Sequence, residues 1–319
     1  RCFDLALRKF ITAVNDEDVN TRIPVPKVDT DGKIKYEHDK TPVYVANSDI
    51  VTYTIRVYNE GTVLGYVMEL SDDIPDGLEF MPEHPTNQEY KWIMIDQDGK
   101  ETSDASKAVE IRTKYLENTL LNPYDPTKEI SETNPDHAEV KVVFKVVEEK
   151  ITQPDRIVIN KAQITDDKAV DEDGNEIDVD DEDSVPDEWN EGEDDQDIEK
   201  IYVKKFDLAL LKWVTQTIVT VDGKTTVTDT GFTPYDNPEP VAKVVIDKKK
   251  LNKTTVKFVY NIIITNEGEI PGYATEITDY IPEGLEFVQE DNPIWTKVGD
   301  NKITTRALEQ TLLNPGESA

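Results

Sequence analysis

Apolar and polar residues alternate along most of this chain, and residues 3–10, reading FDLALRKF, show it most clearly. A period of two puts Phe3, Leu5, Leu7, Lys9 and Ile11 on one face of a strand and Asp4, Ala6 and Arg8 on the other. The stretch is written again at residues 206–213 as FDLALLKW, so Lys9 and Lys212 both sit on an otherwise apolar face. Lysine is almost never fully buried without a partner, which makes the repeated position an anomaly.

The same alternation predicts further strands. Val51, Tyr53, Ile55 and Val57 alternate with Thr52, Thr54, Arg56 and Tyr58, followed by a turn at residues 59–61. Residues 66–74 form the next predicted strand, ended by Pro75-Asp76-Gly77, and residues 91–96 another, with a hairpin signal at Asp98-Gly99. Residues 139–147 and 156–165 complete the set, and residues 113–121 are expected to hold a short helical turn. Short strands punctuated by Gly, Pro and Asn indicate an all-β chain built as a β-sandwich. Residues 51–80 realign on 258–287 without a gap, and LENTLLNP at 116–123 on LEQTLLNP at 308–315. Two homologous units are therefore expected in tandem, 1–165 and 201–319, joined by a segment at 166–200. The second has no counterpart of 139–147 or 156–165, so it reads as truncated, with an exposed sheet edge.

Charge changes the picture at the joint. Residues 166–200 carry nineteen acidic and two basic side chains, a large share of a net charge of −32. Such a stretch has too little apolar content to fold alone and is read either as a self-repelling spacer or as a calcium-ordered joint. In the second reading Asp181, Asp183, Glu193, Asp194, Asp195 and Asp197, with Asn190 and backbone carbonyls, supply the oxygen ligands that calcium prefers. The overall charge argues against a nucleic-acid partner. Cys2 is the one cysteine, which excludes a disulfide framework and cysteine-based zinc sites. His38, His84 and His137 share no spacing and do not recur between units, so they are expected in loops or at the surface rather than in an active site. No apolar run approaches the length of a membrane span.

Two more polar residues interrupt apolar faces. Asp72 lies between Leu70 and Ile74, as Asp279 does between Ile277 and Ile281, and Asn160 lies in line with Val158, Ala162 and Ile164. The opposite face of that strand, with Ile157, Ile159, Lys161 and Gln163, is also partly apolar; if the Asn160 face is the inward one, an amine, a carboxyl and a carboxamide face one core and have the chemistry of a spontaneous Lys–Asn isopeptide bond. Burial disfavours both charges, neutral Lys9 attacks the Asn160 side-chain carbonyl, and protonated Asp72 polarises that carbonyl and passes a proton to departing ammonia. Lys212 and Asp279 repeat the pair without an asparagine partner. The plain alternative is a lysine that snorkels to solvent and an aspartate that caps a turn. Glu69 and Glu276 also repeat, on the opposite face, and are the reserve candidates for the acid.

FDLALRKF, the NEG–GY–DDIPDGLEF core, LLNP and INKAQIT, with the acidic run at 181–197 behind them, resemble the conserved-repeat family of Firmicutes cell-wall proteins called domain of unknown function eleven. That resemblance implies tandem immunoglobulin-like sandwiches, extracellular display on a Gram-positive cell wall, and a Lys–Asn isopeptide bond with an Asp or Glu catalyst. It points to a non-enzymatic stalk module whose partners are neighbouring repeats of the same chain. The rival reading is an adhesin that binds a host or matrix protein or glycan through the divergent loops 15–40 and 83–90, where residues 15–40 offer Tyr36 as their aromatic. A wall-acting hydrolase would need paired carboxylates in a cleft, and no motif announces one.

Overall fold

The structure is a computed structural model that describes residues 2–179, 181, 184–190, 192–233 and 240–319. It divides into two compact units, Arg1–Lys204 and Lys205–Ala319. Its regular secondary structure is almost wholly β, as the alternation requires.

Unit one begins with β1 (Leu5–Val14), β2 (Glu17–Asp18), β3 (Val25–Val28), β4 (Ile34–Glu37), β5 (Val43–Val45), β6 (Ile50–Asn59) and β7 (Leu64–Asp73). It continues through β8 (Leu78–Phe80), a single-turn helix α1 (Pro85–Glu89), β9 (Ile93–Asp96), β10 (Glu101–Thr102) and β11 (Ala108–Thr113). Three longer strands close it: β12 (His137–Val146), β13 (Ile157–Val170) and β14 (Gln196–Val203). One sheet has the order β2-β1-β6-β12-β8, the other β10-β9-β11-β7-β13-β14-β5, and β3 and β4 form a separate hairpin. A single apolar core draws on both sheets, with Leu5, Leu7, Tyr53, Ile55, Val142 and Phe144 from one and Val67, Leu70, Ile111, Val158, Ile164 and Ile201 from the other. Residues 113–121 make hydrogen-bonded turns rather than a helix, from Glu117 N–H to Lys114 O and from Thr119 N–H to Leu116 O.

The repeated motifs have a common physical reason. Asn59 is buried, and its amide donates to the carbonyls of Val63 (2.9 Å) and Leu121 (3.1 Å) while its oxygen accepts from Gly61 N–H (3.0 Å). Asn266 does the same with Ile270 (2.8 Å), Leu313 (2.9 Å) and Gly268 (2.9 Å), so NEG and LLNP are two ends of one clamp. A Cβ on Gly61 would lie 2.6 Å from the Cys2 carbonyl oxygen, and one on Gly65 would fall on the Phe3 ring. Gly268 and Gly272 face residues 205–207 and the Phe206 ring in the same way. Glycine is written there because the opening strand passes too close for any side chain.

The acidic segment is not a spacer between domains. Residues 166–170 extend β13, Ile177 and Val179 pack against the core of unit one, and Gln196–Val203 is β14, antiparallel to β13 and parallel to β5. The boundary therefore falls at residues 204 and 205 instead of between 165 and 201. Composition misleads here because part of the segment works by hydrogen bonding: Glu199, Ile201 and Val203 alternate inward, and Glu199 is buried against Arg22.

Unit two contains β15 (Leu208–Val221), β16 (Lys224–Asp229), β17 (Thr254–Asn266), β18 (Ile277–Tyr280), β19 (Thr296–Val298) and β20 (Lys302–Thr305), in sheets β16-β15-β17 and β18-β20-β19. Its core among the described residues is small, centred on Ile264, Ala274, Ile277 and Leu313. Leu210, the counterpart of Leu7, is 48% exposed where Leu7 is 0%. The described residues of unit two include no strands in the places of β12, β13 and β14, which in unit one are shared between the two sheets.

A Gly65→Ala substitution is expected to push the Phe3 ring out of place and to cost about 1–3 kcal/mol, as overpacking of a tight site does. The thermal midpoint of the full chain would read this as a clear drop, whereas Gly99→Ala, where a Cβ meets no atom within 4 Å, leaves the Phe3 ring untouched and strains only its own turn.

Candidate functional site

Lys9 stands on β1 in one sheet, and Asp72 on β7 and Asn160 on β13 stand in the other. β7 and β13 are neighbours, with Ala162 opposite Asp72, so Asn160 lies one same-face step away along β13. Side-chain alternation aims all three inward, and each is 0% exposed. The Lys9 amine contacts Asp72 Oδ2 directly. Asn160 Nδ2 donates to Asp72 Oδ1 at 2.7 Å, so one carboxyl group bridges the amine and the carboxamide. The Tyr53 ring lies 4.9 Å from the Lys9 amine and closes the site on the β6 side.

Burial sets the electrostatics. Loss of solvent pushes Asp72 up to about 7, against the pull of the Lys9 ammonium and with further help from the Asp73 carboxylate. Asp72 can therefore hold or release a proton near neutrality, as a group that relays protons between two nitrogens must.

Asp73 is a residue that sequence reasoning missed. Strict alternation assigns it to the face opposite Asp72, yet it ends the strand and turns back on the site. Its carbonyl and its Oδ1 each accept from Asn160 Nδ2 at 2.8 Å, and its Oδ1 also accepts from Lys161 N–H at 2.6 Å. Repetition offered no signal, since Tyr280 stands at its place in unit two. With these acceptors around it, the carboxamide turns its nitrogen, not its oxygen, toward Asp72. Asn160 Oδ1 is buried without a hydrogen-bond partner. The arrangement fits Asp72 to the leaving nitrogen rather than to polarising the carbonyl, a change from the role expected from the sequence.

The reserve acid Glu69 lies outside this cluster, paired with Arg112 at 3.0 Å and hydrogen-bonded to Thr165 at 3.1 Å. Glu276 lies 3.5 Å from Arg306 and is exposed. In unit two Lys212 contacts Asp279 at 2.6 Å beneath the Tyr260 ring, the counterpart of Tyr53, but the two side chains remain 29% and 18% exposed. The pair is reproduced there, and its burial is not.

Acidic residues of 181–199 cap the open edge of β1. The backbone N–H groups of Leu5, Lys9 and Ile11 donate to Asp181 Oδ2 (2.9 Å), Asp197 Oδ2 (2.7 Å) and Glu199 Oε2 (3.2 Å), and Leu7 N–H donates to the Asp194 carbonyl (2.6 Å). Asp197 also accepts from the Lys40 amine at 2.7 Å, so of the expected calcium ligands it is engaged elsewhere, while Asp183 lies outside the described residues. His38 departs from the surface placement expected of it. Its side chain is 7% exposed, 3.7 Å from Asp197, and burial beside Lys40 lowers its pKa to about 4. His84 caps α1 and His137 opens β12, half-buried beside Tyr58.

No family model matches the chain, and no curated protein matches it. Solved structures do align. The major pilin subunit BcpA of Bacillus cereus shares 10% identity over 89% of this chain and 74% of its own, with a TM-score of 0.26. A bacterial adhesin from Mobiluncus mulieris containing intramolecular disulfide, isopeptide and ester bond cross-links shares 11% identity over 98% and 96%, with a TM-score of 0.23. A type II cohesin domain from the cellulosome of Acetivibrio cellulolyticus shares 12% identity over 43% and 82%, at 0.20. Overlaps this loose do not transfer a function.

Removing Asp72 strands a buried ammonium. In an Asn160→Ala background, which has no acyl partner for Lys9, adding Asp72→Ala is expected to destabilise unit one by about 3–5 kcal/mol. Adding Lys9→Met to the same background costs less, because a buried aspartate already pushed up to about 7 can stay protonated. Thermal midpoints of the three full-length variants check the order.

Proposed function

We propose that this chain is a non-enzymatic structural module of a bacterial cell-surface protein, in which Lys9 and Asn160 form an intramolecular isopeptide bond. The observation that carries the reading is the fully buried contact of Lys9 and Asn160 with the same Asp72 carboxyl group, across the two sheets of one sandwich. A lysine, an aspartate and an asparagine gathered in an apolar core cost stability as they stand, and the bond removes that cost by eliminating both charges.

The chemistry balances without a co-reactant. A proton passes from the Lys9 ammonium to Asp72, leaving a neutral amine and a carboxylic acid. The Lys9 Nζ then attacks Asn160 Cγ, a new C–N bond forms, and the Cγ–Nδ2 bond breaks. Asp72 hands its proton to Nδ2 and recovers one from Nζ, and ammonia departs. Asp73 holds Nδ2 through two acceptors and orients the group that leaves. The product ties β1 to β13, one strand in each sheet, so the sandwich cannot be opened by pulling its sheets apart. That property suits a stalk outside the cell, where a chain bears load, and agrees with the motif resemblance to wall-protein repeats.

The buried site is unsuited to turnover of an outside substrate. Surface depressions of about 460 and 260 Å³ are lined by other residues, Asn47 and Glu79 among them in the first and Ile93 and Arg112 in the second. The adhesin reading gains nothing from loop 15–40, whose Tyr36 ring stacks on Tyr58 at 4.5 Å and beneath Arg8 instead of facing solvent. Loop 83–90 is largely taken up by α1.

Intact mass of the full chain is the direct test. The parent is expected to lack one ammonia relative to its sequence, and Lys9→Ala, Asp72→Ala and Asn160→Ala to keep it; a parent at full mass would falsify the bond. Its rate carries a pH signature. The reactive pair of neutral Lys9 and protonated Asp72 holds one proton fewer than Lys9 ammonium with protonated Asp72. Formation should therefore rise through the Asp72 titration, slowing about tenfold for each pH unit below 7 and levelling off above it. Mass sampled over time after refolding at several pH values measures this; a rate that falls as pH rises through 7 contradicts the assignment.

A further inference from the structure

We propose that the Tyr53 hydroxyl is the oxyanion donor of the isopeptide reaction, hydrogen-bonding to Asn160 Oδ1 as the Lys9 amine adds to Asn160 Cγ. The inference rests on the reading of Lys9, Asp72 and Asn160 as a bond-forming trio, and it fills the role that reading leaves empty. Asp72 and Asp73 hold the Asn160 nitrogen, so neither polarises its carbonyl. Asn160 Oδ1 is an acceptor without a donor, and the Tyr53 hydroxyl is a donor without an acceptor. Both residues are 0% exposed. A buried polar group left unpaired is costly, and two of opposite sense beside one reactive cluster point to a shared task.

The fold brings the two groups to one place. Tyr53 on β6 stands opposite Ile11 of β1, whose N–H donates to Glu199 Oε2 at 3.2 Å, and Glu199 on β14 stands opposite Asn160 of β13. By a second route, the Tyr53 ring centroid is 4.9 Å from the Lys9 amine, the amine contacts Asp72, and Asp72 accepts from Asn160 at 2.7 Å. The Phe144 ring, edge-on at 5.9 Å, packs against Tyr53. Burial, and then the acids Glu199, Asp72 and Asp73 that flank Asn160, hold the phenol well above its ordinary pKa, so it keeps its proton. Rival acceptors are occupied. Glu199 receives the Arg22 guanidinium twice and the N–H groups of Ile11 and Lys200, and the two Asp72 oxygens receive Lys9 and Asn160. No hydrogen bond joins Tyr53 to Asn160 at rest, and a donor engaged only as charge develops favours the transition state over the ground state. As Nζ bonds to Cγ, the carbonyl electron pair moves onto Oδ1, and the phenol donates to it without losing its proton. When the Cγ–Nδ2 bond breaks, that pair restores the C=O bond and ammonia leaves with the Asp72 proton. Unit two keeps a hydroxyl-bearing ring at the same place, with Tyr260 4.5 Å from the Lys212 amine.

The test follows intact mass over time for the full-length parent and Tyr53→Phe. Both are recovered from insoluble aggregates in denaturant, before Lys9 and Asn160 have met, and diluted into one folding buffer. Both are expected to lose one ammonia, Tyr53→Phe about 100-fold more slowly, the effect of removing a single oxyanion donor. Thermal midpoints in an Asn160→Ala background separate chemistry from packing. There Tyr53→Phe is expected to melt no lower than its background, because it removes a buried hydroxyl that has no partner. A variant that reacts at the parent's rate overturns the assignment, and so does a slow variant whose midpoint in that background falls clearly. A parent that keeps its ammonia overturns the bond itself and this role with it, whereas a parent that loses it beside an unslowed variant overturns the role of Tyr53 alone.

Discussion

A lysine amine at zero exposure must find an acceptor within the core, and much of unit one follows from that requirement. The Lys9 side chain crosses from one sheet toward the other, so its partner has to come from the opposite layer. Asp72 meets it there, and its second oxygen reaches Asn160 on the neighbouring strand. The surrounding core is apolar, with Leu7, Ile55, Leu70 and Ala162 among its buried members. Removal of water is what raises Asp72 to about 7, against the pull of the Lys9 ammonium.

The same strand poses a second problem at its edge. On the side away from β6, the N–H groups of Leu5, Leu7, Lys9 and Ile11 have no backbone ladder, and an open edge invites pairing with other chains. Carboxylates of Asp181, Asp197 and Glu199 and the carbonyl of Asp194 meet those amides one by one. Negative acceptors on N–H donors make strong hydrogen bonds, and they leave the covered edge charged and unsuited to a foreign strand. Lys40 and Arg22 balance part of that charge through Asp197 and Glu199. A stretch with the composition of a disordered spacer thus acquires a defined place, because its acids have amides and cations to meet.

Unit two serves as an internal comparison. Lys212, Asp279 and Tyr260 repeat Lys9, Asp72 and Tyr53, with the amine on the acid and under the ring. Its strands β15 and β17 pair in the register of β1 and β6. What differs is burial: the described residues of unit two hold no strands in the places of β12, β13 and β14, which are shared between the two sheets of unit one, and the pair is partly exposed. The lysine–aspartate contact therefore belongs to the local motif, while its isolation from solvent belongs to the completed sandwich.

Period-two alternation was enough to place most of the long strands, to set Lys9 and Asp72 on inward faces, and to mark the repeat, because side-chain direction in a strand is a local property; both faces of the Asn160 strand are partly apolar, and the structure decided that Asn160 points inward. It was not enough to find Asp73, which bends back at a strand end where alternation lapses. Nor did it reveal that the His38 side chain is largely covered, or that residues 196–203 form a strand, since composition predicts solvation for acids that in fact hydrogen-bond to distant backbone. Which way the Asn160 amide faces depends on atoms brought together from residues far apart in the chain. Local pattern decides which face a residue takes; only packing decides what it meets there.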